Sequence, residues 1–380
     1  MISCLRQEIA CLTTTMVVKV GTRVLTHEDG RLNEDRIAQL ADELHEVMTT
    51  GRRVVLISSG AVGAGMGRLG LERRPTDVAQ RQAVAAIGQG LLVEAYERHF
   101  RKLGRTPAQI LLTADDLDRR TSYLNARNTI LTLMEDYHAV PIINENDTTS
   151  IDELQTTFGD NDRLAAMVTN LIQAPLLVLL SDVDGLYDND PRDPSARRIP
   201  VVAKIDDSVR ALCCDRLTGL SRGGMASKLQ AAHLVTTAGG NVIIGSGREP
   251  GVLRQIVRCE EVGTLFLTQN RSLTARQRWI GLTVQPRGHL IVNACAKQAL
   301  LEQGRSLLPV GVTKVLGHFG KGDVVGICDA TGEEFARGLS NYNADNLRRI
   351  RGLKASEIPD VLGTQPYEEV VHRNNLVLVR

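Results

Sequence analysis

A lysine on the first turn of a predicted helix is the strongest candidate for phosphate chemistry in this chain. The helix is predicted over Met225–Thr237, where apolar residues recur at helical spacing, and Gly239-Gly240 offers it a stop. Side chains lean toward a helix's N-terminus, so Lys228 can reach back over the open N–H groups there. That end of a helix, with its positive dipole, suits a phosphate. The segment reads Ser221-Arg222-Gly223-Gly224-Met225-Ala226-Ser227-Lys228, and the Walker A pattern occurs nowhere in the chain.

Small and basic residues end the first two predicted strands and form a second candidate anion site. Lys19 lies near the end of the strand Met16–Val20, and Ser59 and Gly60 follow the strand Val54–Ile57. A lysine there can project into a crevice, and small residues let backbone N–H groups approach an anion closely. A solvated lysine and a tight strand-to-helix turn are the structural alternatives.

Carboxylates and carboxamides cluster at two later points. Asn144-Glu145-Asn146-Asp147 directly follows the strand Val140–Ile143, and Gly159-Asp160-Asn161-Asp162 opens a helix predicted over 163–172. A role in a turn or as an N-cap explains some of these polar residues but not all of them, so the remaining ones are candidates for ligand binding. We expect Asp147 to hold a substrate ammonium group, Asn161 to bond a ligand, and Asp162 to face a cation or lysine.

Short apolar strands alternate with helical stretches along the first part of the chain. This order predicts an α/β fold with a mostly parallel sheet sandwiched by helices. Ligands bind such sheets beyond the carboxyl ends of the strands, where Ser181 and Asp182 follow the strand Leu176–Leu180. Further strands are predicted over Ile110–Leu112 and Val242–Ile244, and further helices over Glu34–Met48, Gln80–Leu103 and Leu124–Tyr137.

The texture changes after the turn Gln285-Pro286-Arg287-Gly288. Short strands with glycine-rich turns between them predict a small β-rich second domain. These strands are Leu290–Val292, Val324–Ile327 and Glu334–Leu339.

Composition excludes several classes of protein. The net charge is +1 and aromatic residues are 3%, which argues against a protein whose main partner is a polyanion. Apolar stretches such as Ala174–Leu180 are too short to span a bilayer, so no membrane partner is expected. Seven cysteines without C-x-x-C spacing suit reduced thiols and a cytoplasmic protein.

Taken in order, these clusters resemble the amino acid kinase family, and the tail resembles a PUA domain. The kinase motifs are Val17–Thr22, Ser58–Ala61, Leu124–Arg127, Asn144–Asp147, Gly159–Asp162 and Gly223–Lys228, and the PUA motifs are Gly304–Pro309 and Ser340–Asn343. The resemblance implies an amino acid kinase domain over 16–270, a linker over 271–285, a PUA domain over 286–365 and a C-terminal tail over 366–380. Residues 1–15 are expected to be an N-terminal extension, either disordered or part of a misplaced start.

The family members that this chain most resembles carry a PUA domain and phosphorylate glutamate. The resemblance therefore implies ATP-dependent conversion of L-glutamate to L-glutamate 5-phosphate, the first step of proline biosynthesis. It makes Lys19, Lys228 and Asp162 catalytic and assigns substrate binding to Ser59, Gly60, Asp147 and Asn161. The implied ATP contacts are Lys19, Ser181, Asp182, Arg222, Gly223, Gly224, Met225, Ala226, Ser227 and Lys228. Mg²⁺ is expected to ride on the phosphates, with no metal site built from the protein.

The resemblance also implies partners and leaves alternatives. It implies feedback inhibition by proline, a homo-oligomer, and functional coupling to glutamate 5-semialdehyde dehydrogenase, which consumes the product. One alternative is another kinase of the family, acting on acetylglutamate, aspartate, carbamate or UMP. The other is an RNA-binding protein with a degenerate kinase domain, for which the basic cluster is Arg348, Arg349, Arg351 and Lys354.

Overall fold

The chain divides into two compact units, Met1–Ser272 and Leu273–Arg380. The computed structural model describes residues 2–27, 29–149, 161–212, 224–269, 274–363 and 367–379. We call the two parts unit 1 and unit 2 and describe each by itself.

Unit 1 contains an eight-stranded sheet. Its strands are β1 (Thr15–Val20), β2 (Arg53–Ser58), β3 (Pro107–Leu112), β4 (Val140–Glu145), β5 (Leu176–Ser181), β6 (Val201–Val202), β7 (Asn241–Ser246) and β8 (Thr264–Phe266). They lie in the order β3-β4-β2-β1-β5-β7-β8-β6. The pairings from β3 to β7 are parallel, whereas β8 is antiparallel to β7 and parallel to β6. Every residue of the central strands β1 and β5 is buried, as expected for a sheet covered on both faces.

Eleven described helices accompany this sheet. They are α1 (Ile2–Leu12), α2 (Thr22–Leu25), α3 (Glu34–Thr49), α4 (Ala61–Leu69), α5 (Val78–Lys102), α6 (Ala114–Asp118), α7 (Arg120–Glu135), α8 (Asn161–Ile172), α9 (Asp207–Ala211), α10 (Met225–Ala238) and α11 (Val252–Val257). Local chemistry sets their ends: the Asn33 side chain accepts from the Arg36 N–H to start α3, and Gly239 ends α10 at φ 101°. Within the described residues, no helix has the length and apolarity that crossing a bilayer requires.

The N-terminal segment is folded onto unit 1, contrary to the expectation of disorder. Residues 2–12 are helical, and Arg6 is 4% exposed. Its guanidinium donates to the carbonyl oxygens of Val262 at 2.8 Å and Pro200 at 3.2 Å. Because a buried guanidinium needs several acceptors, these carbonyls fix α1 against the segments that flank β6 and β8.

Unit 2 contains a separate five-stranded sheet. It is built from β9 (Gly288–Val292), β10 (Val312–Gly317), β11 (Val324–Cys328), β12 (Glu334–Leu339) and β13 (Leu376–Leu378), in the order β10-β9-β11-β12-β13. Its helices are α12 (Ala275–Arg278), α13 (Ala294–Gln303), α14 (Ala344–Ile350) and α15 (Ile358–Leu362), with a π-helix at Trp279–Thr283 and 3₁₀ turns at Pro309–Gly311, Ala355–Glu357 and Arg373–Asn375. A core that includes Leu290, Ile327 and Phe335 lies between them.

The α/β sheet with covering helices and the separate β-rich unit confirm the predicted fold class. Two features of unit 2 fall outside the expected PUA boundaries. Strand β13 lies in the segment expected to be a tail, yet it pairs antiparallel with β12. The π-helix lies in the expected linker, and a Cβ on its Gly281 would meet the Val377 side chain at 2.8 Å.

Candidate active site

The carboxyl ends of the central strands share one edge of the sheet. Val20 at the end of β1 pairs with Ser58 at the end of β2. The next residues continue the contact, since the Ser59 N–H donates to Val20 O at 3.2 Å and the Gly21 N–H donates to Leu180 O at 3.1 Å. The polar residues that follow β1, β2 and β5 therefore meet where ligands bind in open parallel sheets.

Asp162 bridges the two lysines that the sequence singled out. Its Oδ1 lies 2.5 Å from Lys19 Nζ, and its Oδ2 lies 3.1 Å from Lys228 Nζ. Asp162 is completely buried and both lysines are about 95% buried, as their exposures of 5% show. Lys19 comes from β1, Asp162 from the first turn of α8 and Lys228 from the first turn of α10. One carboxylate thus holds three elements together at the sheet edge.

The charges of this cluster favour an anion. Burial by itself would raise the pKa of Asp162, but the charges of Lys19 and Lys228 outweigh it and hold that pKa below its usual range. Asp162 is therefore ionised near neutral pH and carries one negative charge against two positive charges. The two ammonium groups lie in a poorly hydrated place, where a positive charge attracts a phosphate strongly.

The helix that carries Lys228 begins without a side-chain cap. Gly224 occupies the N-cap of α10, and the first turn contains no acidic residue. Met225, Ala226 and Ser227 form that turn, whose N–H groups carry the positive end of the helix dipole. These residues and Lys228 suit a phosphate together. Arg222 and Gly223, which the family resemblance also assigns to ATP binding, lie outside the described residues.

Helix α4 offers a second uncapped N-terminus at the same edge. Gly60 is its N-cap at φ 108°, a backbone conformation that favours glycine, and no side chain caps the helix. The neighbouring Ser59 is 7% exposed and follows β2 directly. The expected small-residue anion site after β2 is therefore a strand-to-helix turn with open N–H groups.

Asn161 connects the β2 turn to the end of β4. Its Nδ2 donates to Ser59 Oγ at 2.8 Å and to Asn144 Oδ1 at 3.0 Å. Its Oδ1 is buried, and no donor among the described residues forms a hydrogen bond to it. Because buried polar atoms rarely stay unpaired, this oxygen is suited to accept a hydrogen bond from a ligand.

Asp182 is held by a cation that sequence reasoning missed. Its Oδ2 accepts from Arg23 Nη1 at 2.9 Å, and its Oδ1 accepts from Ser181 Oγ at 3.0 Å. Partial burial opposes ionisation, but the bonds from Arg23 and Ser181 prevail and lower the pKa of Asp182. The predicted nucleotide residues Ser181 and Asp182 thus form one hydrogen-bonded unit beyond β5. Arg23 follows Lys19 by four residues, which was the available signal.

Two residues of α5 support the site and were also missed. Gln89 Oε1 accepts from Asn144 Nδ2 at 2.7 Å, and Tyr96 Oη lies 3.0 Å from Ser58 Oγ. Burial raises the pKa of the Tyr96 phenol, so it remains neutral. In the sequence both residues fall in a long helical pattern, and nothing local distinguishes them from packing residues.

Asp147 lies in the turn directly after β4, where it is partly exposed. The turn closes through the Thr149 N–H, which donates to Asn146 O at 3.1 Å.

Over the described part of the chain, no three histidine, cysteine or acidic side chains gather as a metal site would require. The carboxylates nearest the lysines and Ser181 are already engaged with cations, Asp162 with Lys19 and Asp182 with Arg23.

Comparison with known proteins gives consistent matches in both units. A model of the Amino acid kinase family matches residues 14–246, and a model of the PUA domain matches residues 288–362. The chain is 47% identical over 374 residues to a glutamate 5-kinase of Rhodopirellula baltica, with 98% of this chain and 96% of that protein covered. It is 44% identical over 375 residues to a glutamate 5-kinase of Syntrophotalea carbinolica, with 98% and 100% covered. A solved carbamate kinase from Giardia lamblia bound to AMP-PNP matches with a TM-score of 0.48 and 17% identity, covering 68% of this chain and 99% of that one.

Proposed function

The chain belongs to the amino acid kinase family, and from this membership we propose that it transfers the γ-phosphoryl group of ATP to the side-chain carboxylate of L-glutamate. Full-length relatives named glutamate 5-kinase at 44–47% identity support glutamate as the acceptor. The Lys19–Asp162–Lys228 bridge supports phosphoryl transfer as the chemistry, because it places two ammonium groups together at the sheet edge, one of them on the first turn of α10. The products are L-glutamate 5-phosphate and ADP, and the reaction opens proline biosynthesis.

The two lysines stabilise the charge of the transferring phosphoryl group. A side-chain oxygen of glutamate forms a bond to the γ-phosphorus, the bond from that phosphorus to the β,γ-bridging oxygen breaks, and ADP leaves with the electron pair. Negative charge builds up on the equatorial and leaving oxygens during this step. Lys19 and Lys228 neutralise that charge, and Asp162 keeps both ammonium groups in place.

No general base is required. The side-chain carboxylate of glutamate is already ionised near neutral pH, so the nucleophile carries no proton to remove. Rate enhancement then comes from alignment and electrostatics, which the fixed strand ends and the buried ion cluster supply.

ATP and Mg²⁺ are the proposed co-substrate and cofactor. The first turn of α10 and the Ser181–Asp182 pair are the proposed ATP contacts, with Gly224, Met225, Ala226 and Ser227 as the residues at the helix start. Mg²⁺ prefers phosphate oxygens and retained waters over a cage of protein ligands, which fits carboxylates that are already paired with cations. When bound, the ion neutralises phosphate charge.

Asn161 and Asp147 are the proposed contacts for the amino-acid part of glutamate. The free Oδ1 of Asn161 accepts a hydrogen bond, and the ammonium group is the sole donor that glutamate offers near neutral pH. Asp147 adds a negative charge from the turn after β4, and Ser59 and Gly60 line the facing turn.

The decisive experiment measures ADP release by the full chain with ATP, Mg²⁺ and one acceptor at a time. L-Glutamate, N-acetyl-L-glutamate, L-aspartate, carbamate and UMP are the acceptors to compare. We expect turnover with L-glutamate and formation of a hydroxamate when hydroxylamine traps the acyl phosphate. Turnover with another acceptor and none with L-glutamate would identify a different kinase of the family.

The substitution Asp147→Asn tests the substrate side of the site. We expect the KM for glutamate to rise by about tenfold or more, because a charge-assisted contact to ammonium is lost, while the KM for ATP stays within about twofold. Asp42→Asn, at an exposed position of α3, is the matched control. A rise in the KM for ATP alone would show that Asp147 does not contact glutamate.

RNA binding receives less support from unit 2. Arg348 Nη2 donates to Gly317 O at 2.5 Å and its Nη1 pairs with Asp345, while Arg349 donates to Val361 O. These guanidiniums are therefore engaged within unit 2, which weakens the case for a phosphate-binding patch. Salt-sensitive RNA binding without kinase activity would reverse this preference.

We further propose a cytoplasmic location, a homo-oligomer, inhibition by proline and functional coupling to glutamate 5-semialdehyde dehydrogenase. Free thiols support the location, since Cys11, Cys259, Cys295 and Cys328 carry no disulfide. An acyl phosphate hydrolyses readily, which favours a nearby consumer of the product. Light scattering and inhibition by added proline test the second and third proposals.

A further inference from the structure

Three side-chain amides form an ordered chain beside the proposed glutamate site. Gln89 Oε1 accepts from Asn144 Nδ2 at 2.7 Å, and Asn144 Oδ1 accepts from Asn161 Nδ2 at 3.0 Å. Asn144 is 3% exposed. The amides therefore share one orientation: the Gln89 oxygen faces the Asn144 NH₂ group, the Asn144 oxygen faces the Asn161 NH₂ group, and the Asn161 oxygen is left for a ligand.

Backbone groups set that direction. The Glu145 N–H donates to Asn144 Oδ1 at 2.9 Å, so the atom that faces it must be an oxygen. Ser58 O lies 3.4 Å from the Asn161 amide and can only accept, so the atom that faces it must be the NH₂ group. With Asn144 fixed in this way, its NH₂ group is aimed at α5 and needs an acceptor there. Gln89 supplies it.

Close helix packing brings Gln89 to this position. A Cβ on Gly88 would lie 1.8 Å from Ala61 O and 2.4 Å from Gly65 N, so α5 approaches the first turn of α4 as closely as glycine allows. That turn follows Ser59 and Gly60 directly. Further along α5, Leu92 lies about one turn after Gly88 and is buried in the core, and Tyr96 lies about two turns after Gly88 and bonds Ser58. Gln89 thus comes from a helix face that is fixed against the β2 turn.

We propose that Gln89 is a positioning residue that selects substrates carrying an ammonium group. By accepting from Asn144, it satisfies the NH₂ group that the backbone contacts leave facing α5 and so stabilises the orientation in which Asn144 Oδ1 faces Asn161 and Asn161 Oδ1 is the free acceptor. Asn161 Oδ1 can only accept a hydrogen bond, so it binds a substrate that carries an ammonium group and forms no hydrogen bond with a substrate that lacks one. Gln89 touches no substrate atom itself. The inference rests on the proposed function, because glutamate is taken as the ligand.

The test compares the binding of L-glutamate with that of glutarate, which lacks the ammonium group. Isothermal titration of the full chain gives both Kd values for the wild type, Gln89→Leu, Gln89→Glu and the control Gln298→Leu, whose position on α13 is exposed. In Gln89→Leu, the buried NH₂ group of Asn144 loses its acceptor, so Asn144 is held less firmly in the orientation that its backbone contact favours, and Asn161 with it. We expect about tenfold weaker binding of L-glutamate, while the Kd for glutarate stays within about twofold of the wild type.

Gln89→Glu keeps an acceptor oxygen at the same reach, so we expect it to retain L-glutamate binding within about threefold of the wild type. Steady-state kinetics should show the Gln89→Leu effect in the KM for glutamate and leave the KM for ATP unchanged. If Gln89→Leu does not fold, Gln89→Met, which is unbranched and similar in length, replaces it.

Several outcomes would overturn the inference. Equal losses for L-glutamate and glutarate would show a general disturbance of the site, and no loss for either would show that Gln89 is dispensable. If the wild type turns over glutamate and either of these two results is found, the role of Gln89 is overturned and the proposed function stands. A wild type that binds no L-glutamate would overturn the proposed function as well.

Discussion

Lys19 and Asp162 form a buried ion pair whose Nζ and Oδ1 atoms are 2.5 Å apart, and Lys228 lies 3.1 Å from the other oxygen of the same carboxylate. Lys19 is on the central strand β1, whereas Lys228 is on the first turn of α10. A buried carboxylate that lost one of these partners would be poorly compensated, so the three residues are held as a unit. Their arrangement gives a rigid place for a phosphoryl group between strand and helix.

Lys228→Ala is expected to lower kcat by about a hundredfold or more, because it removes a charge that acts mainly on the transition state. The KM for glutamate should stay within about threefold, since Lys228 binds the phosphate side. Steady-state kinetics with each substrate varied in turn gives both numbers. Lys102→Ala, at an exposed position in the last turn of α5, is the control. An unchanged kcat would remove Lys228 from the catalytic assignment.

Acid stability of unit 2 is expected to depend on Asp329. Lys297 Nζ donates to Asp329 Oδ2 at 2.7 Å, and this bond, with those from Thr331, lowers the pKa of Asp329 from 3.8 to about 2. A carboxyl with a lower pKa in the folded state stabilises the fold above its unfolded pKa, and the contribution is lost as pH falls toward the folded pKa. Asp329→Asn should therefore be less stable than the wild type at pH 7, with a gap that closes between about pH 4 and pH 2.

The single tryptophan makes this measurement specific to unit 2. Trp279 lies in the π-helix of that unit and is 6% exposed, so its fluorescence reports unfolding there. Urea titrations at several pH values give the difference in free energy of unfolding. Asp345→Asn, whose carboxylate is 86% exposed, serves as the control. A gap that stays constant with pH would mean that the Lys297–Asp329 bond does not depend on ionisation.

The strands of unit 1 could be predicted from the sequence because they are short apolar, β-branched runs, and the long helices because apolar residues recur at helical spacing between these runs. All six predicted strands there are present, with ends that differ by up to three residues, as in β3. Helix α4 was not predicted, because Gly63, Gly65 and Gly67 disfavour a helix locally. Tertiary packing explains why a glycine is placed in this helix: a Cβ on Gly65 would lie 1.9 Å from Val84 O, so Gly65 admits α5 at close range.

Some residues of the candidate site could likewise be predicted from the sequence, and others could not. Lys19, Asp162 and Lys228 stand in short motifs whose order could be recognised, and the structure brings their side chains together. Gln89 and Arg23 act through partners far away in sequence, Asn144 and Asp182. Such pairings depend on the three-dimensional packing of helices on strand ends, which spacing along the chain does not encode.

Arg36 and Glu43 form a buried ion pair in α3, and both bond the segment after β7. We expect the effects of substituting them on the free energy of unfolding to be coupled. Arg36 Nη1 lies 3.0 Å from Glu43 Oε1; Arg36 Nε also donates to Gly247 O, and Glu43 Oε2 accepts from the Leu253 N–H. Arg36→Met or Glu43→Leu alone should cost about 3–5 kcal/mol, because each leaves a buried charge unpaired. The double variant should cost at least about 2 kcal/mol less than the sum of the two. Calorimetric unfolding of all four proteins measures the coupling, and additive costs would contradict it.

Two glycines that are two residues apart on α5 are expected to respond in opposite ways to the same substitution. A Cβ on Gly88 would lie 1.8 Å from Ala61 O, whereas nothing lies within 4 Å of a Cβ on Gly90. Gly88→Ala should therefore destabilise the chain by about 2 kcal/mol or more through overpacking, and Gly90→Ala should stabilise it by up to about 1 kcal/mol through helix propensity. Thermal unfolding of the matched pair gives the sign of each effect. Because the Gly88 contact also sets the position of Gln89, the KM for glutamate should rise in Gly88→Ala alone. Equal stability of the two variants would show that α4 and α5 can separate without cost.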